Sequence, residues 1–144
     1  MASCNDDSNQ STLVLIKPEA VSRGLAGQII TRYEQKGLKI AAMKLLAPCE
    51  QLIKEHYDEL KDKPFFPHLV ADMAGKPLIA MVLTGPKAVA YVRKLNGATN
   101  PLDAEIGSIR GDFCTIVDQN AAHGSDSAQS AVREIKLWFP DHQI

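Results

Sequence analysis

The chain is 144 residues long, 45% hydrophobic and 23% charged, with a formal net charge of −1 and a pI near 6.4. That suits one globular domain with a substantial core, and the lack of a basic excess excludes binding driven by an overall positive field, as to nucleic acid or an anionic membrane. No apolar run reaches the roughly 18 residues of a membrane span, so no membrane partner is expected. Met1 to Gln10 is polar, has no signal-like apolar segment and reads as a disordered tail, leaving residues 11–144 as the single domain of a cytoplasmic protein. Cys4, Cys49 and Cys114 are odd in number and widely spaced, matching neither a disulfide framework nor a zinc pattern. They are expected as reduced thiols, with Cys114 in the core.

Thr12 to Ile16 is a short apolar run with β-branched members, bounded by the polar tail and Pro18, and is read as the first, central strand. After a brief turn of helix from Glu19 to Arg23, Leu25, Ile29, Ile30 and Tyr33 recur at helical spacing until Gly37. Leu38 to Leu46 alternates as a strand that Pro48 ends. Glu50 to Lys61 reads as a helix, closed by Asp62-Lys63-Pro64, and Phe65 to Met73 as a shorter one. Leu78 to Leu83 is a buried strand. Gly85-Pro86 opens a helix that turns Val89, Val92 and Leu95 inward, and Asn96 to Asp112 is a long loop. Phe113 to Val117 reads as the last strand and Gln129 to Phe139 as the last helix.

This order fits a split βαβ, ferredoxin-like α+β plan, a four-stranded antiparallel sheet with helices packed on one face. A doubly wound parallel sheet is the second choice, because the steady strand-helix alternation it demands is missing.

The stretch Asn120-Ala121-Ala122-His123-Gly124-Ser125-Asp126-Ser127 sets one histidine directly ahead of the last helix, whose inward face reads Ala128, Ala131, Val132, Ile135 and Trp138. Asp126 or Ser127 can cap that helix; with Asp126 as the cap, Gln129 completes a capping box. His123 then stands just outside a helix start, where unpaired N–H groups favour an anion such as phosphate. A lone histidine there is more often a surface residue, and His123 gains weight only from its company. Walker, dinucleotide, zinc and EF-hand patterns are all missing, so phosphate handling would need side chains from several elements. Lys17, Arg93, Thr99 and Arg110 are of the right kind.

Five segments together resemble the nucleoside diphosphate kinase family: Leu15-Ile16-Lys17-Pro18-Glu19-Ala20-Val21 with Arg23-Gly24-Leu25; His56-Tyr57 with Lys63-Pro64-Phe65-Phe66-Pro67; Gly97-Ala98-Thr99-Asn100-Pro101; Ile109-Arg110-Gly111-Asp112-Phe113; and the His123 stretch. The resemblance covers about residues 11 to 140, with the motifs in family order and spacing. It implies a ping-pong transfer of the γ-phosphoryl of a nucleoside triphosphate, mainly ATP, to nucleoside diphosphates through a phosphohistidine on His123. By the same resemblance Arg93, Thr99 and Arg110 bind phosphates, and Tyr57 lies near the transferred group. Lys17 and Asn120 meet the sugar 3′-hydroxyl and phosphates, while Glu134 and Ser125 orient the histidine. Phe65 and Val117 would sandwich the base, and stacking of that kind tolerates any base. Mg²⁺ is expected to bridge the nucleotide phosphates with few or no protein ligands, and a homo-oligomer is expected, hexamer before tetramer.

Taken singly, each residue has a plainer account: Lys17 a solvated strand end, Arg93 a surface cation, Phe65, Tyr57 and Val117 core, Thr99 and Asn120 turn residues, Glu134 a solvated charge. Their joint match overturns those accounts. Two departures stand out: Glu19-Ala20 replaces the family's Asp-Gly, and His68 occupies a position usually small or polar, near the expected mouth of the nucleotide cleft. His56, His68 and His142 receive no catalytic role. A binding relative without catalysis is opposed by the intact site set, and a nucleic-acid binder by the net charge.

Overall fold

The computed structural model describes residues 9–143. Most of the tail read at Met1 to Gln10, Cys4 included, lies outside the described residues, but Gln10 already opens β1 (Gln10–Ile16), and its side-chain oxygen accepts the Val89 N–H at 2.9 Å. With β2 (Lys39–Leu46), β3 (Leu78–Gly85) and β4 (Ala122–Gly124) it makes one sheet in the order β2-β3-β1-β4. Every neighbouring pair is antiparallel. This is the antiparallel α+β plan read from the sequence, and the parallel alternative falls away.

Successive strand residues point to opposite faces, so β1 sends Leu13 and Leu15 one way and Val14 and Ile16 the other, all with no exposed surface. Such a strand needs cover on both faces. After the short α1 (Pro18–Ser22), α2 (Ala26–Gln35) supplies it with α5 (Ala88–Asn96) over Val14 and Ile16, through Ile29, Tyr33 and Val92. α3 (Glu50–His56), α4 (Phe66–Met73) and α7 (Ala128–Trp138) cover Leu13 and Leu15 with Ile53, Val70, Met73, Ile135 and Trp138. The expectation of helices on one face is therefore corrected. Each large side chain buried this way contributes about 2 kcal/mol.

Three further readings change. Phe113 to Val117 is not a strand: a short helix, α6 (Ile109–Phe113), is capped by Ser108 Oγ accepting from Gly111 N, and a 3₁₀ turn follows at Val117–Gln119. Cys114 and Ile116 keep extended backbone between them, but the edge of β1 that they would need belongs to β4. The helix read from Glu50 to Lys61 stops at His56, because Arg133 of α7 donates to the Glu55 and His56 carbonyls at 3.2 and 3.0 Å. Those carbonyls would otherwise accept from the next helical turn. α7 is capped by Ser127, whose Oγ accepts the Ser130 N–H at 3.0 Å, so the capping box on Asp126 does not form.

Candidate active site

His123 stands inside β4, opposite Leu15, and not at the lip of a helix. The three residues of β4 explain its aim. Ala122 and Gly124 face α5, where a Cβ on Gly124 would come within 2.8 Å of Val92 Cγ1, and strand alternation turns His123 to the other face, toward α3 and α7. The approach to β4 is pinned. Ala121 adopts φ +70°, a left-handed conformation that costs a non-glycine residue about 1 kcal/mol or more. Its carbonyl accepts the Lys17 N–H at 2.8 Å and its N–H donates to Glu19 Oε1 at 3.1 Å. Glu19, the departure from the family's aspartate, thus braces the strand that carries His123.

Around the imidazole, His123 Nε2 lies 2.9 Å from Glu134 Oε1, and Ser125 Oγ donates to that same oxygen at 2.8 Å. Glu134 is buried, on the same α7 face as Ala131, Ile135 and Trp138, where the apolar pattern puts Val132; Val132 is exposed. A carboxylate at Nε2 fixes the proton there and leaves the lone pair on Nδ1, which has no hydrogen-bond partner among the described residues. His56, which receives no role from the sequence, packs its ring edge-on at 4.5 Å from that of His123. Trp138 Nε1 donates to His56 Nδ1 at 2.9 Å, and burial, with the charges of His123, Arg133 and Lys17, holds His56 well below the usual imidazole range. It is a neutral neighbour. The helical spacing that puts it on one side with Leu52, Ile53 and Tyr57 is legible in the sequence; its contact with His123 is not.

Beside His123 opens a cleft of about 580 Å³. Lys17, Arg93 and Arg110 line it with Thr99, Asn120 and Tyr57, and Phe65 and Val117 stand at it as half-exposed apolar side chains, 51% and 47%. The site residues read from the sequence therefore meet, with Ser125 alone lying behind the lining, where it reaches His123 through Glu134. Arg110 has a double task. Its Nε and two terminal nitrogens donate to the carbonyls of Asn120, Gly97 and Ala122 at 3.2, 2.7 and 2.6 Å, so of the guanidinium's five N–H groups two remain for a ligand. Burial pulls the Lys17 ammonium down to about 8, with Arg110 adding to the effect. Asn120, in the lining of the cleft, is buried and its Oδ1 has no partner. Tyr57 donates instead to Met73 Sδ at 3.5 Å, its ring 6.3 Å from that of His123.

Could the site hold a resident metal? His56, His123 and Glu134 offer ligand atoms within 4.8 Å of one another. Yet Glu134 is engaged by His123 and Ser125, and with the Trp138 indole donating to His56 Nδ1 the proton of that neutral ring sits on the unpartnered Nε2, so neither His56 nitrogen offers a free lone pair. Lys17, Arg93 and Arg110 in the same lining suit phosphate oxygens.

An antiparallel α+β domain with an oriented histidine in a cation-lined cleft defines a phosphotransferase. The family model described as nucleoside diphosphate kinase matches residues 10–144. The chain is 50% identical over 135 residues to nucleoside diphosphate kinase B of Bos taurus, covering 94% of this chain and 89% of that one. It is equally identical to a nucleoside diphosphate kinase of Thermus thermophilus, with coverage of 94% and 98%. The apo crystal structure of the Encephalitozoon cuniculi nucleoside diphosphate kinase superposes with a TM-score of 0.90 at 42% identity, over 94% of this chain and 93% of that one. The chain belongs to the nucleoside diphosphate kinase family, and its chemistry is phosphoryl transfer between nucleotides. No helix among the described residues is long and apolar enough to cross a membrane.

Proposed function

We propose that the chain exchanges phosphoryl groups by a ping-pong mechanism with His123 as the relay. One observation carries this: an imidazole whose Nε2 is held by a buried carboxylate, beside a cleft gathering Lys17, Arg93 and Arg110. The Nδ1 lone pair attacks the γ-phosphorus of a nucleoside triphosphate, mainly ATP; the N–P bond forms as the bond to the β,γ-bridging oxygen breaks, and the diphosphate leaves. Nε2 keeps its proton against Glu134, which balances the positive charge that the ring gains. A second diphosphate enters the same cleft and reverses the step. Arg93, the two open donors of Arg110, Thr99 and Lys17 bind the phosphates. Lys17 and the orphan acceptor of Asn120 meet the sugar hydroxyl, and Tyr57 stands beside the transferred group. Phe65 and Val117 enclose the base from its two faces, which gives broad base tolerance, and tolerance of either sugar is part of the same reading. Mg²⁺ would be carried by the nucleotide, where it would shield phosphate charge while Lys17, Arg93 and Arg110 hold the remaining oxygens.

We further infer a cytoplasmic homo-oligomer, hexamer before tetramer. Leu102 and Ile106, 88% and 87% exposed, support a covered surface, and the free Cys49 and Cys114 suit a reducing compartment. Mixing the protein with γ-labelled ATP and no acceptor tests the mechanism. Acid-labile, base-stable label on the protein that chases onto several diphosphates, and that a His123→Ala variant cannot take up, is the expected result. Nucleotide binding without any label would overturn it.

A further inference from the structure

At the end of the cleft away from His123, His68 of α4 sits between two carboxylates from different elements. Its Nε2 lies 3.3 Å from Asp72 Oδ2, one helical turn on, and 3.5 Å from Asp118 Oδ2 in the 3₁₀ turn Val117–Gln119. Asp118 directly follows Val117, and His68 lies one turn after Phe65, so the bridge joins the two elements that carry the apolar walls of the cleft. It is the one polar link between α4 and that turn among the described residues. His68, Asp72 and Asp118 also line a second cavity of about 620 Å³, which makes the bridge part of the wall between the two spaces.

We propose that His68 is a positioning residue for base binding: by tying Asp118 to α4 it fixes the distance between Phe65 and Val117, and so the width of the slot that a nucleobase enters. This rests on the reading of Phe65 and Val117 as the base clamp. A base gains most from stacking when both faces are in contact, since an extra gap of about 0.5–1 Å forfeits a quarter to a half of the dispersion attraction on that face. An untethered turn lets Val117 stand off, and the loss falls on binding of the base while the phosphate end, held by Arg93 and Arg110, is untouched. Asp72 holds the same Nε2 from the helix side and faces Lys17.

The experiment compares equilibrium binding of ADP, and of ribose 5-diphosphate, which lacks a base, to the wild type, His68→Ala, Asp118→Ala, Asp118→Asn and the double variant His68→Ala/Asp118→Ala. All these positions are exposed, so folding is preserved. Each alanine variant weakens ADP binding about threefold, as the loss of an exposed pair implies. The double variant is no weaker than either single one, because both remove the same bridge, and Asp118→Asn, which keeps an acceptor, recovers part of the loss. Ribose 5-diphosphate binding does not change. In turnover, KM for ADP rises with kcat unaltered. Equal weakening for both ligands, additive single variants, or unchanged ADP affinity would each overturn the proposal. Binding needs no catalysis, so a wild type that binds ADP but takes no label from ATP would sink the kinase mechanism and leave the bridge standing or falling on its own arms.

Discussion

Glu134 Oε1 lies 2.9 Å from His123 Nε2, and the carboxylate that makes this contact is buried between α7 and the sheet. A buried carboxylate persists only with strong partners, and here Ser125 Oγ supplies a second hydrogen bond, itself anchored by accepting the Leu13 N–H at 3.2 Å. The chain of contacts runs from the central strand to the reacting ring. Glu134→Ala removes both the orientation and the countercharge. Phosphoenzyme formation is expected to slow by about 10²-fold, the usual scale for losing such an orienting partner, with nucleotide affinity little changed. Single-turnover labelling from γ-labelled ATP checks this; Ser125→Ala should cost less, since Glu134 then still holds the ring.

His56 gives the fold a pH dependence. Its folded value is held well below 6.5 while the unfolded chain titrates at 6.5, so below about pH 6.5 the unfolded state binds more protons and stability falls as pH falls. Above that pH the contribution is fully present. His56→Gln is expected to flatten the loss of stability between pH 6.5 and 5 by close to one proton's worth, measured by urea unfolding across that range. An unchanged slope would mean that other groups dominate. Trp138→Phe, which deletes the indole donor to His56 Nδ1, should cost about 1–2 kcal/mol at neutral pH.

Lys17 illustrates stability set against function. The fold lowers its ammonium from 10.5 to about 8, chiefly through burial, so at pH 7 the folded state carries a charge it disfavours. The sign follows from proton counts: between about pH 8 and 10.5 the unfolded chain binds more protons, and this residue's contribution to stability rises with pH. Lys17→Met keeps the aliphatic stem and removes the charge. It is expected to raise stability at pH 7 by about 3 kcal/mol and to lose most activity, which paired urea unfolding and kinetic assays would show.

How much of this is legible in the sequence depends on whether the signal is local. β1 and β3 announce themselves because strands buried on both faces are continuous apolar runs. β4 does not: Ala122-His123-Gly124 has no strand signal, and it pairs because Gly124 is small enough to lie against Val92. The β-branched run after Phe113 is more strand-like and finds no edge to join. On α7 the inward face is Ala131, Glu134, Ile135 and Trp138, also a helical period, but a glutamate in it is invisible to a pattern of apolar residues. His56 shares a helix side with Ile53 and Tyr57 in the sequence, but nothing in that pattern says that it packs on His123. The cleft residues are legible only jointly, since nothing in Lys17, Thr99 or Arg110 alone says that they meet.

Arg110 and Arg93 line the same cleft, and their different anchoring predicts different failures. Arg110 is partly buried and its three donors satisfy the carbonyls of Gly97, Asn120 and Ala122, which tie the long loop after α5 to the approach of β4. Lysine cannot reproduce a planar fork that reaches three acceptors. Arg110→Lys should therefore leave carbonyls unpaired and cost about 1–3 kcal/mol of stability as well as activity. Arg93 lies on the exposed side of α5, and no hydrogen bond or ion pair to a neighbour holds its side chain among the described residues. Arg93→Lys should keep stability within about 0.5 kcal/mol, as for surface changes, while weakening nucleotide phosphate binding. Urea unfolding alongside ATP affinity separates the two cases: comparable destabilisation in both variants would mean that the carbonyl contacts of Arg110 contribute nothing net, and that its place in the cleft is set by the ligand alone.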